Sequence, residues 1–270
     1  MAELEKKKPL LMWETEQSGV LRLTLNDATN RNALSEAMLL ALEEAFDHVA
    51  LDPTVRVVKL SGNGSVFCAG HDLKEMTAGR QNTDQGRAYF AKILNQCSAL
   101  MQKIIACPKP VIAEIDGVAT AAGCQLVASC DLAVASDAAQ FCTPGVHIGL
   151  FCSTPMVALS RNIANKHVME MLLTGDMVSA SRAAEIGLVN KVVPSSKLCA
   201  TSMALAGRIA SKSSLTVATG KRAFYQQKEM DLAAAYNYAS KIMVDNMLAR
   251  DAEEGIAAFI EKRAPDWCDE

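Results

Sequence analysis

The stretch Lys109 to Ser136, KPVIAEIDGVATAAGCQLVASCDLAVAS, constrains the fold more than any other part of the chain. Pro110 to Ile115 is a short apolar run bounded by Pro on one side and by Asp116 and Gly117 on the other, the pattern of a buried strand. Leu132 to Ala135 has the same pattern. Between them Gly117-Val-Ala-Thr-Ala-Ala-Gly123 carries almost no side chain, so the backbone can approach closely whatever lies over it. Ala122 to Cys130 is expected to be helical, which would leave the first amide N–H groups of that helix, at Ala122 and Gly123, without intrahelical partners and at the positive end of its dipole. Such a turn can hold an anion or a developing oxyanion. Small residues also serve tight packing of a helix on a sheet, and the sequence leaves both uses open.

A chain of 270 residues has ample length for a core, and its 50% hydrophobic and 21% charged composition is ordinary for a globular protein. The net charge of −3 offers no basic stripe for nucleic acid and no polybasic cluster for an anionic membrane. Lys6, Lys7 and Lys8 are expected to form a solvated tail. No window approaches the roughly 20 apolar residues of a membrane span. The nine cysteines show no CxxC pair, so no metal site is expected, and their scatter through apolar stretches suits reduced thiols. The opening MAELEKKKPLL lacks the apolar core of a signal peptide and is too acidic for a typical transit peptide. A cytoplasmic location is expected, or the mitochondrial matrix if a transit peptide has been removed.

Along the chain, Val20 to Leu25 alternates Leu21, Leu23 and Leu25 against Arg22 and Thr24, a strand with one buried face. Ser35 is placed to cap a helix whose Met38, Leu42, Ala45, Phe46 and Val49 share one side. Val55 to Leu60 is a further strand, ended by Ser61-Gly-Asn-Gly64. The absence of GxGxxG excludes a dinucleotide fingerprint there. Phe67-Cys-Ala-Gly-His-Asp-Leu-Lys-Glu-Met76 turns sharply at Gly70 into a helical pattern, which exposes the N–H of His71; that amide, rather than the imidazole, is the group of interest. Ala78 to Asp84 is a polar loop expected to be mobile, and Arg87 to Ala106 a long amphipathic helix. Phe141 to Arg161 is broken by Pro144, Gly145 and Gly149 into an irregular loop leading to a helix near Pro155. Ser179 caps a short helix stopped by Gly187, and Leu188 to Val193 is expected to be a strand. Helices near 196–211, 214–227, 231–249 and 252–263 complete the chain, with Asp251 and Glu254 in capping-box spacing for the last. The organisation predicted is therefore α/β over residues 1–195, followed by an all-helical region over 196–270.

CAGHDLKEM, IDGVATAAGCQLVASCDLAVAS and SASRAAEIGLVNKVV are similar to three ordered motifs of the crotonase, or enoyl-CoA hydratase/isomerase, superfamily, and the likeness runs from about Val20 to Arg263. The phrases AAGCQLVASCD and GLFCSTPMVALSR resemble one branch of it. The resemblance implies a ββα spiral core, C-terminal helices that pack homotrimers or a dimer of trimers, and a coenzyme A thioester as substrate or ligand, with no permanently bound cofactor. It also implies that the thioester oxygen sits between the N–H groups of His71 and Ala122. Arg31, Ala33, Ala69, Asp72, Leu73, Lys74 and Gly117 match positions on the coenzyme A and substrate side, although Lys74 also suits a solvated helix start.

One departure from the resemblance bears on function. Hydratases of this superfamily carry two glutamates that position and ionise a water, and the matching positions here are Gln125 and Gly145. An amide has no proton to exchange near neutral pH, and glycine has no group at all. His147 and Ser153, in the same loop as Gly145, are the available substitutes. Three functions stay open: a hydratase or isomerase of fatty acyl-CoA metabolism, weak or inactive without the glutamates; a decarboxylase of malonyl-type thioesters, whose Gly70-His-Asp72 triplet resembles that of methylmalonyl-CoA decarboxylases; and a non-catalytic acyl-CoA binder.

Overall fold

The structure, a computed structural model, describes residues 8–270; Lys6 and Lys7 of the lysine run lie outside the described residues. Strands β1 (Leu11–Thr15) and β2 (Val20–Leu25) pair antiparallel. Helix α1 (Glu36–Leu51) follows, and the Ser35 hydroxyl accepts the N–H of Met38 at 3.2 Å, the cap that the sequence predicts. Next come β3 (Val57–Gly62), β4 (Val66–Cys68), α2 (Leu73–Gly79) and α3 (Arg87–Ala106). The central stretch supplies β5 (Val111–Ile115), β6 (Val118–Thr120) and α4 (Ala122–Ser129), then β7 (Leu132–Ser136), β8 (Gln140–Cys142) and α5 (Ser153–Ser160). The remainder is α6 (Asn165–Thr174), β9 (Val178–Ser179), α7 (Ala180–Glu185), β10 (Lys191–Val193), α8 (Ser195–Ala210), α9 (Ser214–Gln227), α10 (Leu232–Met247) and α11 (Arg250–Glu261). None of these helices is long and apolar enough to cross a membrane.

The chain repeats one unit: a strand in a large sheet, a strand in a small sheet, then helix. The large sheet has the order β1-β2-β3-β5-β7-β10 and is parallel from β2 onward. The small sheet has the order β4-β6-β8-β9, with β8 and β9 antiparallel. Each pass therefore adds a strand to both sheets and returns through helix, which winds the ββα spiral that the resemblance implies. One expected strand lies two residues later than predicted, at Val57–Gly62, and another is shorter, at Lys191–Val193. Val55 instead donates to the Asp52 carbonyl at 3.3 Å, and the N–H groups of Leu188 and Val189 turn back to the Ala183 carbonyl at 2.8 and 3.3 Å, so neither segment is free to pair.

Period-two alternation divides the core. Leu21, Leu23, Leu25, Val58, Leu60, Val111, Ala113 and Ile115 face α1, α3 and α4, while Val20, Val57, Ile112 and Val134 face the opposite way, onto Leu198, Ala206 and Ala210 of α8. On that second face Lys59 is fully buried and pairs with Glu114 of the neighbouring strand at 2.8 Å, and the Ser202 hydroxyl also donates to Glu114. Such a pair gives little net stability against its desolvation. It does require α8 to dock with Ser202 over Glu114. A second ionic knot ties α9 to the central stretch: Lys221 donates to Asp131 at 2.6 Å and to the carbonyls of Ile104 and Lys109, both at 3.1 Å, while Tyr225 donates to Asp131 at 2.9 Å. Asp131 is thus a fully satisfied structural carboxylate.

The capping box expected at Asp251 and Glu254 is not formed. Helix α11 begins two residues earlier, after Ala249, and the buried Asp251 carboxylate instead accepts the N–H groups of Cys268 at 2.8 Å and Asp269 at 3.0 Å from the returning C-terminal tail. Glu254 is taken by Arg263 and by the N–H of Asp266. The tail is held further by Asp269 against Arg56, which also reaches the carbonyls of Ala210 and Lys212. Burial pushes the Asp251 pKa up, but the Ser213 hydroxyl and the tail amides outweigh it, so the net shift is below the ordinary 3.8. A depressed carboxylate pKa adds stability that is present above the ordinary value and is lost as pH falls through the folded one. Asp251→Asn keeps one acceptor and turns two N–H groups toward the tail's donors. It is expected to cost roughly 1–3 kcal/mol at pH 7 and to speed amide exchange at Cys268 and Asp269. The gap from wild type should close under acid below pH 3.8; a gap unchanged down to pH 2 would argue against this role.

Candidate active site

The two turns singled out in the sequence lie side by side. Parallel pairing of β4 with β6 sets Val66 opposite Val118 and Cys68 opposite Ala119, and each strand then runs directly into a helix, α2 or α4. At Gly70, φ is +84° and a Cβ would lie 3.1 Å from the Ala122 nitrogen and 3.0 Å from the Thr120 carbonyl oxygen. Only a residue without a side chain fits this approach. The Thr120 hydroxyl locks the pair by donating to the Ala69 carbonyl at 2.9 Å. Segment 31–34 closes the third side: Ala69 donates to the Arg31 carbonyl at 3.1 Å and Leu34 to the Gly70 carbonyl at 2.8 Å.

Neither the His71 nor the Ala122 amide has a hydrogen-bond acceptor among the described residues. Ala122 opens the wholly buried α4, so its N–H sits at the helix's positive end. The preceding residue, Ala121, has φ 50° and ψ −119°, a conformation costly for anything but glycine, and donates to the Cys142 carbonyl at 3.0 Å. The strain turns the next peptide so that its N–H points off the ladder. Both uses of small residues that the sequence left open coexist here. A Cβ on Gly123 would lie 2.1 Å from the Cys68 carbonyl oxygen, and one on Gly117 would lie 2.0 Å from that of Ser65. Gly117 and Gly123 therefore serve packing, while Ala122 presents the amide.

Asn32 contributes in a way the sequence reading missed. Fully buried and with φ 50°, it donates to the carbonyls of Asn63 at 2.9 Å and Val66 at 2.8 Å, and accepts the Asp27 N–H at 2.9 Å, pinning segment 31–34 to β4. An Asn in a polar turn tolerates the left-handed region, the one local signal available. Glu75 of α2 is similar: it accepts the Glu36 N–H at 2.9 Å and the Tyr89 hydroxyl at 3.3 Å, fastening α2 to α1 and α3.

Gln125 stands one turn along α4 from Ala122, is 4% exposed, and has no partner for its Oε1 among the described residues. It lines a cavity of about 380 Å³ between α3, α4, α5 and α9, with Ser98, Met101, Ile105, Thr154 and Val157. Gly145, His147 and Ser153 are not among the residues lining this cavity. A Cβ on Gly145 would meet the Leu150 carbonyl oxygen and the Cys152 Sγ, each at 2.9 Å, so the loop is closed over it. His147 is exposed, its Nε2 bonded to the Thr174 carbonyl at 2.8 Å, and Ser153 is exposed at the start of α5. Burial pushes the Cys142 thiol up to about 11 and raises that of Cys152, so neither is a thiolate. The His71 ring is buried with both nitrogens unpartnered; burial lowers its pKa against the opposing Leu34 carbonyl, which keeps the ring neutral.

Of the remaining candidates, Ala69 lies between β4 and the turn, and Ala33 is buried beside it in segment 31–34. Asp72 caps α2, accepting the N–H groups of Lys74 at 2.7 Å and Glu75 at 3.2 Å. Leu73 is exposed, and so are Arg31 and Lys74, which form no ion pair among the described residues.

The chain is similar to proteins of known family over nearly all its length. The family described as enoyl-CoA hydratase/isomerase matches residues 15–270. Enoyl-CoA hydratase domain-containing protein 3, mitochondrial, of Mus musculus is 48% identical over 262 residues, 97% of this chain and 86% of that protein. The crystal structure of an enoyl-CoA hydratase from Mycobacterium smegmatis superposes with a TM-score of 0.92 at 50% identity, covering 96% of this chain and 99% of that one. The human enoyl-CoA hydratase domain-containing protein 3 structure superposes with a TM-score of 0.91 at 46% identity, covering 96% of this chain and 100% of that one. The branch that AAGCQLVASCD and GLFCSTPMVALSR resemble is that of enoyl-CoA hydratase domain-containing protein 3. On the matched family, the fold and these identities, the chain belongs to the enoyl-CoA hydratase/isomerase family.

Proposed function

We propose that the chain binds an acyl-CoA thioester with its carbonyl oxygen between the N–H groups of His71 and Ala122, and that it lacks the carboxylate pair needed to hydrate an enoyl thioester. The observation that carries the reading is the approach of Gly70 to the Ala122 nitrogen, with both neighbouring amides unpartnered. Fixed donors in a water-poor site are each worth about 3 kcal/mol when negative charge develops on the oxygen. On the coenzyme A side, Arg31 and Lys74, exposed and without an ion pair among the described residues, suit the phosphates of the carrier. The test is the thioester C=O stretch of butyryl-CoA labelled with ¹³C at the carbonyl. Two amides withdrawing electron density are expected to lower its frequency on binding relative to water. An unshifted band in the bound complex sinks the reading.

A decarboxylase of malonyl-type thioesters is the second reading. It is favoured by the makeup of the cavity wall, where Glu229 is the carboxylate and is paired with Arg161 at 3.4 Å. Loss of CO₂ generates the enolate without a base, and the same two amides would stabilise it.

The outer surface supports assembly into homotrimers. Helices α9 and α10 bury no residue, and Leu232, Tyr236, Leu248, Phe259 and Ile260 are each more than two-thirds exposed. Apolar faces of this extent are covered in solution, here by further copies of the chain; light scattering that returned the mass of one chain would contradict it. All nine cysteines are unpaired and seven are buried, which supports a reducing compartment, the cytoplasm or the mitochondrial matrix; the mouse relative is named as mitochondrial.

A further inference from the structure

We propose that Asn63 is a self-modification site: its side chain closes on the Gly64 nitrogen, expels ammonia, and leaves an aspartate or isoaspartate that loosens segment 31–34 from the small sheet. The inference does not depend on the thioester reading, because it concerns the frame around the two amides and not what they hold.

Ser61-Gly-Asn-Gly64 spans the end of β3 and the bend before β4, and it holds the single Asn-Gly pair in the chain. Glycine after asparagine lets the following nitrogen reach the side-chain carbon, since no Cβ obstructs the approach and the backbone turns freely. The bend leaves the reacting atoms available. Gly64 is exposed at φ +86°, and its N–H donates to no acceptor among the described residues. The Asn63 side chain is tethered through Nδ2, which donates to Asn26 Oδ1 at 2.8 Å, while its Oδ1 accepts from none of the described residues.

The step balances with water as the co-reactant. The Gly64 nitrogen bonds to Cγ and gives its proton to solvent base, the Cγ–Nδ2 bond breaks, and the nitrogen leaves as ammonia, which gives a cyclic imide. Water then opens one of the two imide carbon–nitrogen bonds. Opening at Cγ restores the main chain and leaves an aspartate. Opening at the main-chain carbonyl routes the chain through Cγ instead, as an isoaspartate with one more carbon in the backbone.

The products disturb two contacts at this bend. Asn26 donates through its own Nδ2 to the Pro9 carbonyl at 2.8 Å, which fixes its Oδ1 as an acceptor, and a carboxylate opposite has no proton to give it. The Asn63 carbonyl accepts Asn32 Nδ2 at 2.9 Å, and the buried Asn32 is what ties segment 31–34 to Val66. An extra backbone carbon displaces that carbonyl. The N–H groups of Leu34 and Ala69, which bond to the carbonyls of Gly70 and Arg31, report the loosening.

The test holds the full chain in mildly alkaline buffer, beside the same chain unfolded in urea, and follows both by peptide mass spectrometry and by enzymatic methylation of isoaspartate. In the folded protein Asn63 is expected to lose its amide before any other asparagine, and faster as pH rises. Amide exchange at Leu34 and Ala69 in the converted fraction is expected to speed about tenfold, the size of one lost hydrogen bond. Asn63→Ser, which has no side-chain carbonyl to attack, is expected to keep its exchange rates constant through the same incubation. An Asn63 amide that survives in the folded chain while converting in urea overturns the proposal, because the fold then protects it. So does conversion that leaves exchange at Leu34 and Ala69 unchanged, or exchange that speeds equally in Asn63→Ser. The wild-type arms need no variant, and none of these outcomes bears on the carbonyl band that tests the thioester cradle.

Discussion

Crotonyl-CoA given to the purified protein is expected to be hydrated at least about 10²-fold more slowly than by a hydratase with two carboxylates, the size of general acid-base assistance. Water addition needs a group that takes a proton from the water and one that returns it to carbon. Gln125 can do neither, and Gly145 carries no side chain. Substitutes are also out of place or in the wrong state: His147 is tied to the Thr174 carbonyl and, like His71, does not line the cavity, Glu229 on its wall is paired with Arg161, and Cys142 and Cys152 stay protonated. The thioester cradle proposed at the His71 and Ala122 amides does not depend on a carboxylate, so binding and hydration are expected to separate. Turnover comparable to that of a two-carboxylate enzyme contradicts this account outright. The structure also bears on how hydratase activity would be introduced. Gln125→Glu places a carboxylate on the cavity wall, whereas a side chain at Gly145 collides with the Leu150 carbonyl and with Cys152. Adding Gly145→Glu to Gln125→Glu is therefore expected to yield no more activity than the single change.

Gly117→Ala is expected to be among the most destabilising single substitutions in the chain. The added Cβ would lie 2.0 Å from the Ser65 carbonyl oxygen and 2.6 Å from its carbon, both backbone atoms, at a φ of +80°. Positive φ costs an alanine roughly 1–2 kcal/mol, and forced overpacking costs about 1–3 kcal/mol more, or above that where backbone must move. Little relief is available, because β5 and β6 flank the residue and its carbonyl accepts the Gln140 N–H at 3.1 Å. A total of roughly 2–5 kcal/mol corresponds to a fall in melting temperature of about 10 °C. Gly207→Ala in α8 is the control: nothing lies within 4 Å of its Cβ position, and the change is expected to be neutral or slightly stabilising. If calorimetry finds the two substitutions equally benign, the close approach of segment 65–66 to the Gly117 turn is wrong, and with it the placement of α4.

How much of this could be read in advance depends on the length and locality of each signal. The caps at Ser35 and Ser179 and the C-terminal helices were legible, because capping and helical periodicity are encoded within a few residues. The small sheet was not. Its strands β4, β6, β8 and β9 have two or three residues each, too few for alternation to register, and they pair only across the spiral. Asp251 misled for a related reason: its spacing to Glu254 imitates a local motif, while its real donors arrive from the tail at Cys268 and Asp269.

By itself the sequence determined the strand-turn-helix-strand run from Lys109 to Ser136 and the two small-residue turns at Gly70 and Ala122, because backbone permissiveness and helix starts are properties of adjacent residues. Only the tertiary structure decided that those turns meet, that Ala122 presents its amide while Gly117 and Gly123 merely pack, and that Gln125 faces a cavity whose walls come from α3, α4, α5 and α9. The reason is physical: which donor is free and which glycine is needed depends on atoms that the parallel pairing of β4 and β6 brings within about 3 Å from some fifty residues away.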